Sequence, residues 1–383
     1  MKILIAPDKF KGSMRASDVA DHVAAGISSV SPAAQLVTVP VADGGDGTLD
    51  AAVASGFKLV PVTVQGPTGE PVDTGYAQKD GTAVVELADA CGLVRLPGGV
   101  LAPLTASSTG FGEVIAAALN SGCRRLVLAI GGSASTDGGA GMLTALGARL
   151  LNSNGEPVPA GGGGLEHVDR VDLAGLHPGV ADAEVVLASD VDNPLLGDHG
   201  AAAVYGPQKG ASPDDVARLD GALRVWSGAV ARALGVDESS SGHPAADTAG
   251  AGAAGGVGFA AVAVLGATAR PGIDLMLELT GLGDELSGAD LVITGEGSLD
   301  EQTLHGKAPA GVAAAARAAG VPVVTVSGRN LLSKQQLTAA GVRRAYALTD
   351  IESDVQRCIN DPGPLLEQLG RQIAEDAAVA AST

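Results

Sequence analysis

Short runs of Val, Ile and Leu recur along the chain, at Ile3–Ala6, Leu36–Val41, Leu126–Ile130, Val185–Ala188, Leu291–Thr294 and Val323–Val326, each ending in polar or glycine residues. The runs are continuous rather than alternating, which predicts strands covered on both faces, as in a parallel sheet. Between the last two runs, Lys307–Gly320 predicts a helix with an Ala-rich packing face and Gly320 at its stop, completing a βαβ unit. The stretch Lys58–Glu86 differs. Its first part, Val60–Gln65, alternates, Gly66–Gly69 reads as a turn, and apolar patterning resumes at Ala83–Leu87, which predicts antiparallel or mixed sheet. The expected architecture is α/β. A parallel-sheet domain is built from residues 1–60 and 285–383, with a mixed α/β domain of residues 61–284 inserted between them; Leu126–Ile130 suits either part. Pro159–Gly164, with four consecutive glycines, and the Ser/Gly/Ala-rich Asp237–Gly256 read as surface loops or linkers. The second reads equally well as ligand-facing, because Gly252–Gly258 leads into an apolar helix.

Polar clusters stand where the predicted parallel strands end, the edge at which open α/β sheets bind ligands. The most informative is Gly131–Gly141, where an apolar strand runs into five glycines, three hydroxyls and one carboxylate. Glycine permits positive φ and close backbone approach, so successive N–H groups can converge on an anion. The expected contributors are Gly131, Gly132, Ser133, Ser135, Thr136, Asp137, Gly138 and Gly139. Near the N-terminus, Asp8-Lys9-Phe10-Lys11 places two lysines beside an aspartate. They suit an anionic substrate or a transferring phosphoryl group, or else a solvated turn capped by Ser13 or Ser17. Asp43-Gly-Gly-Asp46 offers two carboxylates for Mg²⁺ or a pair of turn formers. Asp190 and Asp192 share one face of an extended segment beside Asn193. They read as a metal or general-base station, or as Asx capping before Pro194. Thr294–Asp300, containing Glu296, ends its strand in the same style.

Composition narrows the partners. The 383 residues carry a formal net charge of −19 and show no basic stripe, which argues against nucleic acid or an anionic membrane as partner. Cys91, Cys123 and Cys358 are odd in number and widely spaced, fitting neither a zinc site nor a disulfide framework. No apolar run reaches transmembrane length and Met1–Pro7 is too short for a signal segment, so a cytoplasmic location is expected. Gly306-Lys307 lacks the earlier glycine of a P-loop, and Gly12 stands alone where a dinucleotide motif needs three. His199 and His305 lie near polar loops and read as structural.

Taken together, these residues resemble the glycerate kinase family of the bacterial glycerate 2-kinase type. The ordered motifs are Ala6–Ser13, Pro40–Thr48, Gly66–Gly69, Ser107–Gly110, Ile130–Gly141, Asp190–Leu195, Tyr205–Gly210, Gly252–Gly258 and Thr294–Asp300. The resemblance implies a Rossmann-like domain and a smaller mixed α/β domain with the active site in the cleft between them. It also implies ATP and Mg²⁺ as cofactors, and transfer of the γ-phosphoryl group to the 2-hydroxyl of D-glycerate. In the roles expected from phosphoryl-transfer chemistry, Asp190 accepts the hydroxyl proton and Lys9 or Lys11 neutralises the transferring group. Asp43 and Asp192 position metal or substrate, with Asp46 a further metal ligand and Glu296 a further ligand-binding residue. Exchanging Asp190 and Asp43 is equally tenable. A homodimer is compatible with the sequence. The alternatives are a kinase of another hydroxy acid or of the 3-hydroxyl, and a non-catalytic sugar-acid or nucleotide sensor.

Overall fold

The computed structural model describes residues 1–381 apart from residues 238 and 305. Its strands are β1 (Lys2–Pro7), β2 (Gln35–Thr38), β3 (Lys58–Gln65), β4 (Pro71–Lys79), β5 (Thr82–Glu86), β6 (Arg125–Ala129), β7 (Arg149–Leu151), β8 (Arg170–Asp172), β9 (Glu184–Ala188), β10 (Thr268–Arg270), β11 (Leu291–Leu299), β12 (Val323–Asn330) and β13 (Val342–Ala347). They divide between two compact units. One comprises Met1–Asp43, Asp50–Gly56 and Pro271–Thr383; the other comprises Gly44–Leu49 and Phe57–Arg270.

The first unit holds an all-parallel sheet in the order β13-β12-β11-β1-β2. Successive residues of β1 serve opposite faces, which explains the continuous apolar run. Ile3 and Ile5 pack with Val19, Val23 and Ile27 of the helix Ala16–Val30 and with Leu366 and Leu369 of the helix Gly363–Ala381. Leu4 and Ala6 join Val312, Ala313 and Ala316 of the helix Ala308–Ala318 on the other face. The two helices of the first face meet at Gly26, where a Cβ would lie 2.1 Å from the Glu367 carbonyl oxygen.

In the second unit a mixed sheet runs β10-β9-β6-β5-β4-β3. Strands β5, β6, β9 and β10 are parallel, and β3-β4-β5 form antiparallel pairs. The alternation read in Lys58–Gln65 is therefore structural: Val60, Val62 and Val64 turn inward, while their neighbours face solvent. Strands β7 and β8 form a separate antiparallel pair. Cys91, Cys123 and Cys358 are buried free thiols. Among the described residues no helix is long and apolar enough to cross a membrane.

The segments read as linkers are packing surfaces instead. A Cβ at Gly162 would lie 2.2 Å from the Thr136 carbonyl oxygen, and one at Gly255 would lie 2.1 Å from that of Ser135. Composition does not separate a mobile glycine run from one that lets two backbones touch.

Candidate functional site

In the first unit the chain leaves β1 toward β2 on one side, and β11 later enters on the other. Strand order thus reverses at the β1/β11 pair, the place where a parallel sheet opens a crevice beyond its carboxyl ends. Asp8 and Glu296 stand there, because Pro7 pairs with Gly295 and the Asp8 N–H donates to the Gly295 carbonyl at 2.8 Å. Asp8 is buried, and its Oδ1 accepts the N–H of Lys9 at 2.6 Å. Burial, reinforced by the charges of Asp43 and Glu296 against that of Lys9, pushes the Asp8 carboxyl up to about 7. Glu296 is also raised by burial, although it accepts from Thr303 Oγ1 at 2.5 Å and pairs with Lys307 Nζ at 3.4 Å. Lys9 is half-buried. Lys11 is exposed on the hairpin that closes through Phe10 N–H to Met14 O (2.8 Å) and the reverse bond (2.9 Å). Asp8, Lys9, Asp43 and Glu296 therefore form one electrostatic cluster, with Lys307 at its margin.

In the second unit Glu86, Ala129, Ala188 and Arg270 lie in one register row across the four parallel strands. The chain just beyond that row carries the remaining candidates. The loop after β6 is held from several directions. Leu93 N–H donates to Gly132 O and Ala134 N–H to Cys91 O, both at 3.0 Å. Gly138 N–H reaches Gly255 O at 2.9 Å, and the Trp226 indole N–H reaches Gly138 O at 3.0 Å. Asp137 is fully buried. It accepts from Ser108 N (2.8 Å), Ser108 Oγ (2.9 Å), Ser107 Oγ (3.3 Å), and the N–H groups of Gly139 and Gly141 (3.2 Å each). That makes Asp137 the bracket of the loop. Ser133, Ser135, Thr136, Gly138 and Gly139 are likewise buried, and only Gly131 and Gly132 reach the surface. Among the described residues the N–H groups of Gly131 and Gly132 donate to no protein acceptor. Two adjacent accessible donors at a strand end can receive an anionic oxygen.

The Gly44–Leu49 loop lies against this turn: a Cβ at Gly131 would be 2.8 Å from Gly45 Cα. Buried Glu86 fixes it, accepting from Gly47 N–H at 3.1 Å and Leu49 N–H at 2.9 Å. Asp46 is exposed on this loop, and Asp190 and Asp192 are exposed beyond β9. Neighbouring Asn193 is fixed, accepting from the Tyr205 hydroxyl at 2.6 Å and donating to His199 O at 2.9 Å. Among the described residues no group of three or more His, Cys, Asp or Glu side chains is arranged to hold a metal ion. His305 lies outside the described residues.

Sequence reading placed Asp8 beside the two lysines without giving it a role, and missed Glu86, Lys209 and Lys307 as members of these clusters. Lys209 is fully enclosed. Its Nζ donates to Ser133 Oγ at 2.8 Å and to the Ser135 carbonyl, and burial pushes the ammonium down to about 7. The signal available for it was the Tyr205–Gly210 motif, which contains it.

A sequence model described as the glycerate kinase family matches residues 3–378. The chain is 40% identical over 383 residues to a glycerate kinase of Bacillus subtilis (strain 168), covering 99% of this chain and 98% of the relative. It is 44% identical over 331 residues to a glycerate 2-kinase of Escherichia coli (strain K12), covering 86% and 85%. A crystal structure from Salmonella typhimurium LT2, provisionally named glycerate kinase 2, superposes with a TM-score of 0.85 at 39% identity over 100% of both chains. Two units built on a parallel and a mixed sheet, polar strand ends, and this likeness along the whole chain place the protein in the glycerate kinase family of phosphotransferases.

Proposed function

We propose that the protein transfers the γ-phosphoryl group of ATP to the 2-hydroxyl of D-glycerate, giving 2-phospho-D-glycerate and ADP in the cytoplasm. The observation that carries this reading is the 44% identity to a relative named glycerate 2-kinase. In the reaction a hydroxyl oxygen forms a bond to the γ-phosphorus as the bond to the ADP oxygen breaks, and the hydroxyl proton leaves to a base. Catalysis then rests on positioning and charge neutralisation.

Asp190 accepts the proton in this reading, and Lys9 and Lys11 neutralise the transferring group. Asp43 orients the lysines, Glu296 holds Lys307 toward substrate, and the free amides of Gly131 and Gly132 receive a phosphate or carboxylate oxygen. Mg²⁺ arriving with the nucleotide needs only one or two protein carboxylates, since water and phosphate oxygens fill its other positions. Asp46 and Asp192, both exposed, are the residues that would hold it. A second reading gives the proton to Asp8, because a carboxyl near 7 is matched to general-base work at neutral pH.

The test is a coupled assay of ADP release with D-glycerate, ATP and Mg²⁺, followed by NMR of the product. Glycerate-dependent turnover to 2-phosphoglycerate is expected. The 3-phosphate would overturn the regiochemistry, and glycerate binding without ATP consumption would replace the kinase by a sensor.

A further inference from the structure

Lys209 has no part in the chemistry assigned above, yet it is the most enclosed cation among the described residues, 2% exposed. It ends the short turn Pro207–Lys209, whose geometry is set by the Lys209 N–H to Gly206 O bond at 2.9 Å and by Gly210 at φ +91°. The side chain runs inward to the loop after β6, where Nζ donates to Ser133 Oγ at 2.8 Å and to the Ser135 carbonyl. Among the described residues no carboxylate bonds it directly; Asp137 acts on it through space.

Enclosing an ammonium with only neutral hydrogen-bond partners costs stability, because two dipoles replace its hydration incompletely. A methionine would fill the same volume without that cost. The consequence of the lysine lies in what it holds. Ser133 and Ser135 follow directly on Gly131 and Gly132, whose N–H groups are free and accessible. The ammonium ties both residues from the interior, and the remainder of the loop is buried. Around it the hydroxyls of Ser135 and Thr136 are buried without a partner among the described residues, so the ammonium supplies much of the polar anchoring on this side. In its protonated form it also adds a local positive field near two accessible amides, in a protein whose net charge of −19 opposes anion approach.

We propose that Lys209 is a positioning residue: from inside the fold it holds the Gly131–Ser135 turn, and its charge biases that turn toward an anionic oxygen of substrate. This rests on the reading that the turn receives such an oxygen during glycerate phosphorylation.

The test compares wild type, K209M and K209R by kcat and KM for D-glycerate and for ATP, alongside thermal melts. Absence of glycerate-dependent turnover in wild type would defeat the functional reading itself, apart from any question about Lys209. Given an active wild type, K209M is expected to stay folded, because the ammonium's desolvation cost offsets the loss of its two hydrogen bonds, while kcat/KM falls about 100-fold. K209R, which keeps a cation there, is expected to recover at least about tenfold of that loss. A folded K209M with kcat/KM within about threefold of wild type would overturn the proposal, as would K209R no better than K209M. Should K209M fail to fold, Ser133→Ala removes the acceptor at 2.8 Å, together with the long bond that Ser133 Oγ donates to the Ser135 carbonyl at 3.4 Å, and keeps the lysine. A fall of about fivefold in kcat/KM at an unchanged melting temperature supports the proposal, and wild-type kinetics would overturn it.

Discussion

The Trp226 ring occupies the space that a side chain at Gly138 would need. A Cβ there would lie 2.5 Å from Trp226 Cδ1, while the indole N–H donates to the Gly138 carbonyl at 3.0 Å. Gly138 also has φ +62°, a conformation costly for any residue with a Cβ. Gly138→Ala is therefore expected to destabilise the second unit by about 2–4 kcal/mol, combining backbone strain with overpacking. Trp226 is the only tryptophan, so its fluorescence during urea unfolding reports the unit that contains it. An unchanged midpoint would show that the ring yields without cost.

Asp137, itself fully buried, collects five donors on four residues in two stretches of the chain. Replacing it by Asn keeps the shape but turns one acceptor oxygen into an NH₂ group facing donors. The expected loss for Asp137→Asn is about 2–3 kcal/mol, the range for hydrogen bonds to a buried charged group. Urea unfolding measures it, and a loss under about 0.5 kcal/mol would remove Asp137 as the bracket of the loop.

The sequence revealed most where burial leaves a local trace. Ile3 to Ala6 had to be apolar at every position because β1 is covered on both faces, and Val60, Val62 and Val64 alternate because β3 is covered on one. The glycine loop after β6 was legible as a turn, but not its division into two accessible amides and a buried remainder. That division depends on Asp137 meeting Ser108 across 29 residues and Lys209 meeting Ser133 across 76. Glu86 was hidden for the same reason: it ends an apolar strand, and its partners lie 39 and 37 residues earlier. The glycine run at 161–164 and the Gly/Ala segment at 252–256 carry the composition of linkers because close backbone contact and mobility both call for small or absent side chains.

Asp8 makes stability depend on pH in a direction opposite to that of an ordinary paired carboxylate. Its folded pKa of about 7 lies above the ordinary 3.8, so the folded state holds the proton more tightly than the unfolded chain. The associated stabilisation is fully present below pH 3.8 and is lost as pH rises through 7. Asp8→Asn has no proton to lose at this position. The stability of wild type relative to Asp8→Asn is thus expected to fall between about pH 4 and 7 and to level off above that. Taking the difference cancels the repulsion shared by both chains. A flat difference would mean that Asp8 titrates as it does in water.

Asp190 separates activity from stability, since it is exposed beyond β9 while its neighbour Asn193 is fixed by Tyr205 and His199. Substituting an exposed carboxylate generally changes stability by less than about 0.5 kcal/mol. Removing a general base costs about 10²–10⁴-fold in rate. Asp190→Asn is therefore expected to keep the wild-type melting temperature and to lose kcat by that factor, with KM for glycerate little changed. The same assay on Asp8→Asn decides between the two candidate bases. If Asp190→Asn turns over near the wild-type rate and Asp8→Asn does not, the proton goes to the buried carboxyl at the β1/β11 crevice, and Asp190 is left to orient substrate or metal.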